Sequence, residues 1–275
     1  MMKPIKLRNI IPYIILLIIA AMFILPLFWI IFASFDESAT QVLKVPEELS
    51  LANYSTVLTD SGNQSAFING LFLSGGQTIL VVVLSLLASY PLSRFSLKHK
   101  QKLLMTILFM TSLPITAVMV PVYQLFVFFN WVDSLWATLL FLTASGLPFG
   151  IWMMKNFMDG VPVELEESAW IDGASSFDGL RKVIIPLMKP GIFTVAIFTF
   201  IGSWGNFFVP YILLQSPSKL PASVTLYQFF GQYGYAAYGQ LAAYSIIYML
   251  PTFILYYFAQ NHMSKGFALG GAAKG

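Results

Sequence analysis

The sequence contains long apolar runs with no ionisable residue in their middle, and this feature limits the fold more than any other. Each run has about the 20 residues that a helix needs to cross a hydrocarbon core of roughly 30 Å. The six runs are Ile10–Ser34, Leu71–Leu92, Leu103–Phe129, Leu135–Met154, Gly191–Leu214 and Leu241–Ala259. They predict an all-α integral membrane protein with six transmembrane helices.

The composition excludes most other classes. Charged residues make up 10% of the 275 residues and apolar residues 57%, whereas a soluble domain carries roughly 25% charged residues. A soluble enzyme, a nucleic-acid binder and a disordered protein do not fit these proportions. There is no cysteine and there are only two histidines, so we expect no disulfide, no thiol nucleophile and no metal site.

The apolar runs also lack the ionisable groups that proton- and ion-coupled transporters carry at membrane depth. Energy for any transport would then come from a partner, although a purely structural membrane protein would have the same pattern. The sequence has no phosphate loop of the form G-x-x-x-x-G-K-[ST] and no dinucleotide fingerprint. We therefore expect neither catalytic residues nor a cofactor bound by this chain.

The distribution of Lys and Arg predicts the orientation. With the amino terminus in the cytoplasm, 13 of the 15 basic residues fall inside, and only Lys44 and Lys219 fall outside. This topology divides the chain into four segments. They are a cytoplasmic amino terminus with the first helix (1–34), an extracytoplasmic loop (35–69), a five-helix core (70–260) and a cytoplasmic tail (261–275).

One cytoplasmic segment of the core, at about 162–178, has the pattern of a docking helix. Pro162 suits the first turn, and the acidic residues that follow it favour the positive end of the helix dipole. Trp170 and Ile171 give the helix an apolar face, and Asp172-Gly173 is a helix end, where we expect Gly173 to turn the chain at a point at which a Cβ would clash. Amphipathic helices that lie on lipid usually carry basic residues, so this acidic helix favours a groove on another protein. A helix on the membrane surface remains the alternative.

The same segment resembles a known signature. Glu167-Ser168-Ala169, Gly173 after three residues, and Val183-Ile184-Ile185-Pro186 after nine more match the spacing E-A-A-x3-G-x9-I-x-L-P. That signature is typical of permease subunits of binding-protein-dependent ABC importers. Other stretches resemble the carbohydrate branch, in particular the second, shorter permease of maltose-type and multiple-sugar importers. They are Leu51–Tyr54, Tyr90–Phe95, Ile171–Ala174, Phe198–Trp204 and Gly266–Gly275.

The resemblance implies a fold, a location, a function and partners. The fold would be that of a type I ABC importer transmembrane domain, in the cytoplasmic membrane with both termini inside. The chain would form half of a sugar pathway beside a homologous second permease. Two ATPase subunits, as a homodimer or a heterodimer, would use ATP and Mg²⁺ below it, and a sugar-binding protein would dock outside. Membrane lipid would be a further partner, and no nucleic acid is expected to bind. The alternative function is that of a stand-alone facilitative or ion-coupled carrier.

The resemblance and the residue types together give three groups of candidate residues. The ATPase-coupling group is Glu166, Glu167, Ser168, Ala169, Trp170, Asp172, Gly173, Ala174 and Pro186. The candidate sugar path is Ser203, Trp204 and Asn206, for which helix packing is the favoured alternative. The candidate contacts to the binding protein are Tyr227, Gln228, Phe229, Phe230, Gln232 and Tyr233, for which an interfacial aromatic belt is the alternative.

The topology predicts which introduced thiols react from outside. Because the chain has no cysteine of its own, a single Cys at Ser61 should react with an impermeant maleimide in intact cells. A single Cys at Ser175 should react only after the membrane is opened. Labelling of the Ser175 site in intact cells would contradict the predicted orientation.

Overall fold

A computed structural model of the chain describes the backbone of residues 10–230 and 237–272. Side chains are described within residues 12–260 of those ranges, except at 228, 230 and 259. In this part of the chain, all regular secondary structure is helical. The expectation of an all-α protein is therefore confirmed.

The helices are numbered here in chain order. Those of the first half are α1 (Ile10–Ser34), α2 (Ala52–Thr59), α3 (Ser61–Arg94), α4 (Lys100–Thr111), α5 (Ile115–Phe128) and α6 (Leu135–Asp159). Those of the second half are α7 (Val163–Ile171), α8 (Ser176–Gly179), α9 (Ile185–Leu187), α10 (Lys189–Trp204), α11 (Phe208–Leu213), α12 (Ala222–Thr225) and α13 (Tyr238–Ala272). A π-helix, Leu180–Ile184, joins α8 to α9, and short 3-10 turns occupy Pro217–Lys219 and Leu226–Phe230.

Four helices are long and apolar enough to cross a membrane by themselves: α1, α3, α6 and the first part of α13. Two bent pairs, α4 with α5 and Ser176–Leu187 with α10, meet the same criterion together, which gives up to six spans in the described chain. The six apolar runs thus correspond to these elements. The backbone of α13 stays helical to Ala272, so no break marks the expected boundary between the last span and the tail at residue 260.

The third and fifth predicted spans are not single continuous helices, a feature that the apolar runs do not predict. The helix over 103–129 breaks at Ser112–Pro114, where α4 and α5 meet at 94°. Pro114 explains the break, because it lacks an N–H and forces the residue before it out of the helical region. The apolar run over 191–214 ends its first helix at Trp204 and resumes at Phe208.

The chain divides into two compact units, and the first comprises Met1–Gln64 and Thr225–Leu250. Within it, the buried Asn53 amide donates to the carbonyl oxygens of Ser34 and Asp36, at 3.2 and 3.0 Å. Tyr54 donates to the hydroxyl of Ser34 at 2.9 Å. These bonds hold the loop that follows α1 against α2, which gives a structural role to residues of the Leu51–Tyr54 stretch.

The second unit comprises Ser65–Val224 and Pro251–Gly275 and contains two hydrophobic clusters. One lies among α3, α5, α6 and α11, around Leu73, Phe126, Leu142 and Leu213. The other lies among α3, α6, the π-helix and α10, and includes Val81, Met154, Ile184 and Val195. The second cluster supports the segment that carries the candidate coupling residues.

Asp133, in the turn between α5 and α6, binds the segment that follows α11. Its carboxylate accepts hydrogen bonds from the backbone N–H groups of Gln215 and Ser216 and from Lys219 Nζ, all at 2.9 Å. Partial burial raises the pKa of the Asp133 carboxyl, but the hydrogen bonds from Ser216 and Lys219 outweigh it and hold the pKa well below its ordinary value.

Replacing Asp133 with Asn should therefore destabilise the protein by about 1.5–3 kcal/mol at pH 7, the range for hydrogen bonds to a charged group. Asn tolerates the left-handed backbone at this position, φ +62°, so the loss reports on the carboxylate. Thermal unfolding in detergent measures it, with the exposed Glu48→Gln as the control.

The pH dependence of this effect has a defined sign. A carboxylate with a lowered pKa stabilises the fold above its ordinary pKa and loses that contribution as the pH falls. The gap in Tm between wild type and Asp133→Asn should persist from pH 8 to about 5 and shrink below about pH 4. A gap that widens in acid would contradict this account.

Candidate functional site

The site is built on α7, whose end has the geometry that the sequence predicts. Gly173 adopts φ +87°, a conformation that residues with a Cβ rarely adopt. Its N–H donates to Trp170 O at 3.0 Å, and the Ala174 N–H donates to Ala169 O at 2.9 Å. This pair of bonds is a Schellman motif, and it turns the chain from α7 towards α8.

The expected apolar face of α7 is present and exposed. Ile171 is 86% exposed and Phe177, at the start of α8, is 68% exposed. Val163, Leu165 and Trp170 are each about two-fifths exposed. The acidic side chain of Glu167 and the hydroxyl of Ser168 are exposed on the same helix, so apolar and acidic groups form one surface. We call this surface, formed by Val163, Glu167, Trp170, Ile171 and Phe177, the α7 face; Leu165 is exposed on another side of the helix.

Glu166 does not belong to the α7 face, because its side chain points into the protein, and its role as an ATPase-coupling residue stays a prediction. Its side chain is 1% exposed, and its Oε2 lies 3.0 Å from Nε of Arg94, the last residue of α3. The hydroxyl of Tyr90 donates to its other carboxylate oxygen. The reason is periodicity: Glu166 and Glu167 are neighbours in sequence, about 100° apart around the helix, so one turns inward when the other faces out.

The structure also corrects the reason for Gly173. We expect from the sequence that a Cβ there would clash, but a Cβ built at Gly173 meets no atom of the described chain within 4 Å. The requirement for glycine is therefore conformational strain alone. The remaining coupling candidates lie around this turn: Asp172 is exposed at the end of α7, Ala169 and Ala174 are half-buried, and Pro186 is exposed in α9.

The candidate sugar-path residues are placed as packing residues within the second unit. Trp204 is 4% exposed and its ring stacks on Phe200 at a centroid distance of 5.9 Å. Asn206 Oδ1 accepts the N–H of Val209 at 3.1 Å and so caps the start of α11. Ser203 is buried and its hydroxyl has no hydrogen-bond partner in the described chain. A role for these three residues in a sugar path stays a prediction.

The candidate contacts to a binding protein fall partly outside the described residues. Tyr227 is 64% exposed, and Phe229 packs on Tyr244 at a centroid distance of 4.9 Å. Gln228 and Phe230 have a described backbone in the 3-10 turn, whereas Gln232 and Tyr233 lie outside the described residues. A contact between this segment and a binding protein stays a prediction.

Sequence reasoning missed Tyr90 and Arg94 as part of the site. The Tyr90–Phe95 stretch carries a family resemblance, and Arg94 contributes to the charge bias, but nothing in the sequence pairs it with Glu166. A signal was present, because Tyr90 and Arg94 are four residues apart and share one face at the end of an apolar helix. A cation at such a position needs an acidic partner if it is buried.

Comparison with known proteins agrees with this geometry. Residues 82–267 match the family described as the binding-protein-dependent transport system inner membrane component. The sulfoquinovosyl glycerol transport permease SmoH of Agrobacterium fabrum is 29% identical, over 90% of this chain and 87% of its own length. The maltodextrin transport permease MdxG of Bacillus subtilis is 27% identical, over 96% of both chains. Among solved structures, a bacterial ABC transporter that imports alginate matches 95% of this chain and 98% of its own, with a TM-score of 0.83 at 22% identity.

The chain therefore belongs to the inner membrane components of binding-protein-dependent transport systems. It is a multi-pass membrane protein with the transmembrane fold of a type I ABC importer. The family and the fold implied by the sequence resemblance are confirmed.

The strain at Gly173 predicts the effect of the smallest substitution. Gly173→Ala should destabilise the α7–α8 turn by about 1–2 kcal/mol, the cost of a left-handed conformation for a residue with a Cβ. Gly75→Ala is the matched control, because Gly75 also has open space around its Cβ position but lies inside α3. Thermal unfolding in detergent should show a lower Tm for Gly173→Ala only, and equal Tm values would contradict a role for strain.

Proposed function

We propose that this chain is one permease subunit of an ATP-driven sugar importer and that the α7 face is its docking surface for an ATPase subunit. The observation that carries the proposal is the exposed apolar face, led by Ile171 at 86% exposure, on a helix that buries Glu166 against α3. Large exposed apolar groups beside a polar rim are typical of protein interfaces. The similarity to permeases named for sulfoquinovosyl glycerol and maltodextrin supports a sugar as the substrate.

The arrangement of the importer follows from this docking. Both termini lie in the cytoplasm, as the 13 to 2 distribution of basic residues predicts. A homologous second permease completes the pathway, and a sugar-binding protein delivers the substrate from outside. ATP and Mg²⁺ are used by the ATPase subunits and not by this chain.

The charge of the α7 face favours a basic groove on the ATPase subunit. Glu167 is exposed and carries no partner bond among the described residues, so it is free to meet Lys or Arg side chains. Such bonds are charge-assisted and contribute about 1.5–3 kcal/mol when desolvated. When the ATPase dimer closes on ATP, it would move α7 and with it the spans, in a rigid-body change between two states.

The test is the replacement of Ile171 with Asp. The substitution puts a charge at the centre of the apolar contact and should weaken binding of the ATPase subunit by roughly 2 kcal/mol or more, about thirtyfold in Kd. Co-purification of the ATPase subunits with the tagged permease from detergent measures this loss. The control is Leu97→Asp, which makes the same change at an exposed apolar residue, 42% exposed, outside the α7 face.

Retention of the ATPase subunits by Ile171→Asp, at the level of the control, would exclude the α7 face as the docking surface. Gly173→Asp should behave as Ile171→Asp does, because it adds both strain and an unpaired charge at the end of α7. A Gly173→Asp complex that keeps its ATPase subunits and alters only which sugar is carried would also overturn the proposal.

A further inference from the structure

A buried ion pair lies beneath the α7 face, and neither of its two residues belongs to that face. Arg94 Nε and Glu166 Oε2 are 3.0 Å apart, and the two side chains are 4% and 1% exposed. Arg94 Nη2 also donates to the carbonyl oxygen of Val161 at 3.0 Å, just before α7 begins. With the bond from Tyr90 to the second carboxylate oxygen, both charged groups have several partners, which buried charges require.

The same network continues into α6. Ser93 donates to Asp159 Oδ1 at 2.7 Å, and Asp159, the last residue of α6, pairs with Lys155. Arg94 Nη1 lies 3.4 Å from the Ser93 hydroxyl. A continuous set of polar contacts therefore joins the ends of α3 and α6 to the inner side of α7.

The turn after α7 closes the pair off from solvent. Gly179, in α8, is buried against it: a Cβ built there would lie 3.5 Å from Cγ of Glu166 and 3.4 Å from the indole nitrogen of Trp170. Exclusion of water strengthens the attraction and removes screening by salt. A nine-residue helix is marginal by itself, so its placement depends on such a tertiary anchor.

We propose that Arg94 and Glu166 are positioning residues that fix α7 to α3 and α6, so that a force applied at the α7 face moves these helices as one body. The proposal rests on the proposed function, since it presumes an ATPase subunit on that face. Glu166 and Glu167 then have separate roles: Glu167 faces the partner, whereas Glu166 links the docking helix to the membrane-spanning helices.

The first experiment measures the linkage without disturbing it. Spin labels are placed on single cysteines at Glu164 on α7 and at Ile79, which is 65% exposed on α3 and about 22 Å along that helix from Arg94. The chain has no other cysteine. In the assembled importer in lipid vesicles, the interspin distance should be the same without nucleotide and after trapping with Mg-ATP and vanadate. A distance that changes on trapping by more than the width of the nucleotide-free distribution would overturn the proposal.

The second experiment breaks the pair with Glu166→Gln, which preserves shape and leaves Arg94 unpaired. The ATPase subunits should remain bound, the interspin distribution should broaden, and stimulation of ATP hydrolysis by the binding protein should fall by roughly 5- to 150-fold, the usual range for coupling between sites. Arg94→Lys keeps the charge but loses the planar guanidinium group with its several N–H donors. Its stimulation of ATP hydrolysis should lie between that of the wild type and that of Glu166→Gln. The control, Glu164→Gln, should leave hydrolysis unchanged.

The outcomes separate this proposal from the proposed function. Normal stimulation in a folded Glu166→Gln complex would overturn the linkage and leave the docking surface intact. Retention of the ATPase subunits by Ile171→Asp would overturn the docking surface instead. If Glu166→Gln fails to assemble, the interspin distance still tests whether α7 and α3 move as one body. That distance is measured in the chain that keeps both Arg94 and Glu166.

Discussion

The ion pair between Arg94 and Glu166 is the interaction on which the arrangement of the functional segment depends. It joins a residue at the end of a 34-residue helix to a residue in the middle of a nine-residue one. Removal of one partner from a buried pair typically costs about 3–5 kcal/mol, whereas a whole domain is stable by only about 5–15 kcal/mol. Because both charges are buried, displacement of α7 from α3 would leave each charge without its partner.

The signature that spans residues 167–186 combines three physical tasks. Glu167 and the apolar residues beside it face outward and form a surface. Gly173 supplies a backbone conformation that ends the helix, with φ +87°. Ile184, which is fully buried in the cluster with Met154 and Val195, anchors the far end of the segment. The spacing between these residues is fixed because the exposed surface at Glu167, the turn at Gly173 and the buried side chain of Ile184 must each lie at a set distance along the chain.

Much of the fold is predictable from the sequence because lipid imposes a simple rule on it. Apolar runs of sufficient length become helices, and α1 and α6 begin where the runs Ile10–Ser34 and Leu135–Met154 begin. Gly173 is predictable as well, since the chemistry of a helix end is local. The break at Pro114 is not predictable from the proline alone, because proline is also found inside α1, α3, α5, α6 and α13 without ending them. The partner of Glu166 lies 72 residues away, and no local pattern encodes a contact at that separation.

The bend between α4 and α5 limits what can surround this part of the chain in a membrane. Ser112, Leu113 and Pro114 are exposed at the bend, and when the two helices are counted as one span, this irregular backbone lies within the hydrocarbon layer. Acyl chains offer no hydrogen bonds, so irregular backbone is tolerated at that depth only against protein or water. The backbone of this bend therefore needs cover from protein or water wherever the chain is embedded in a membrane.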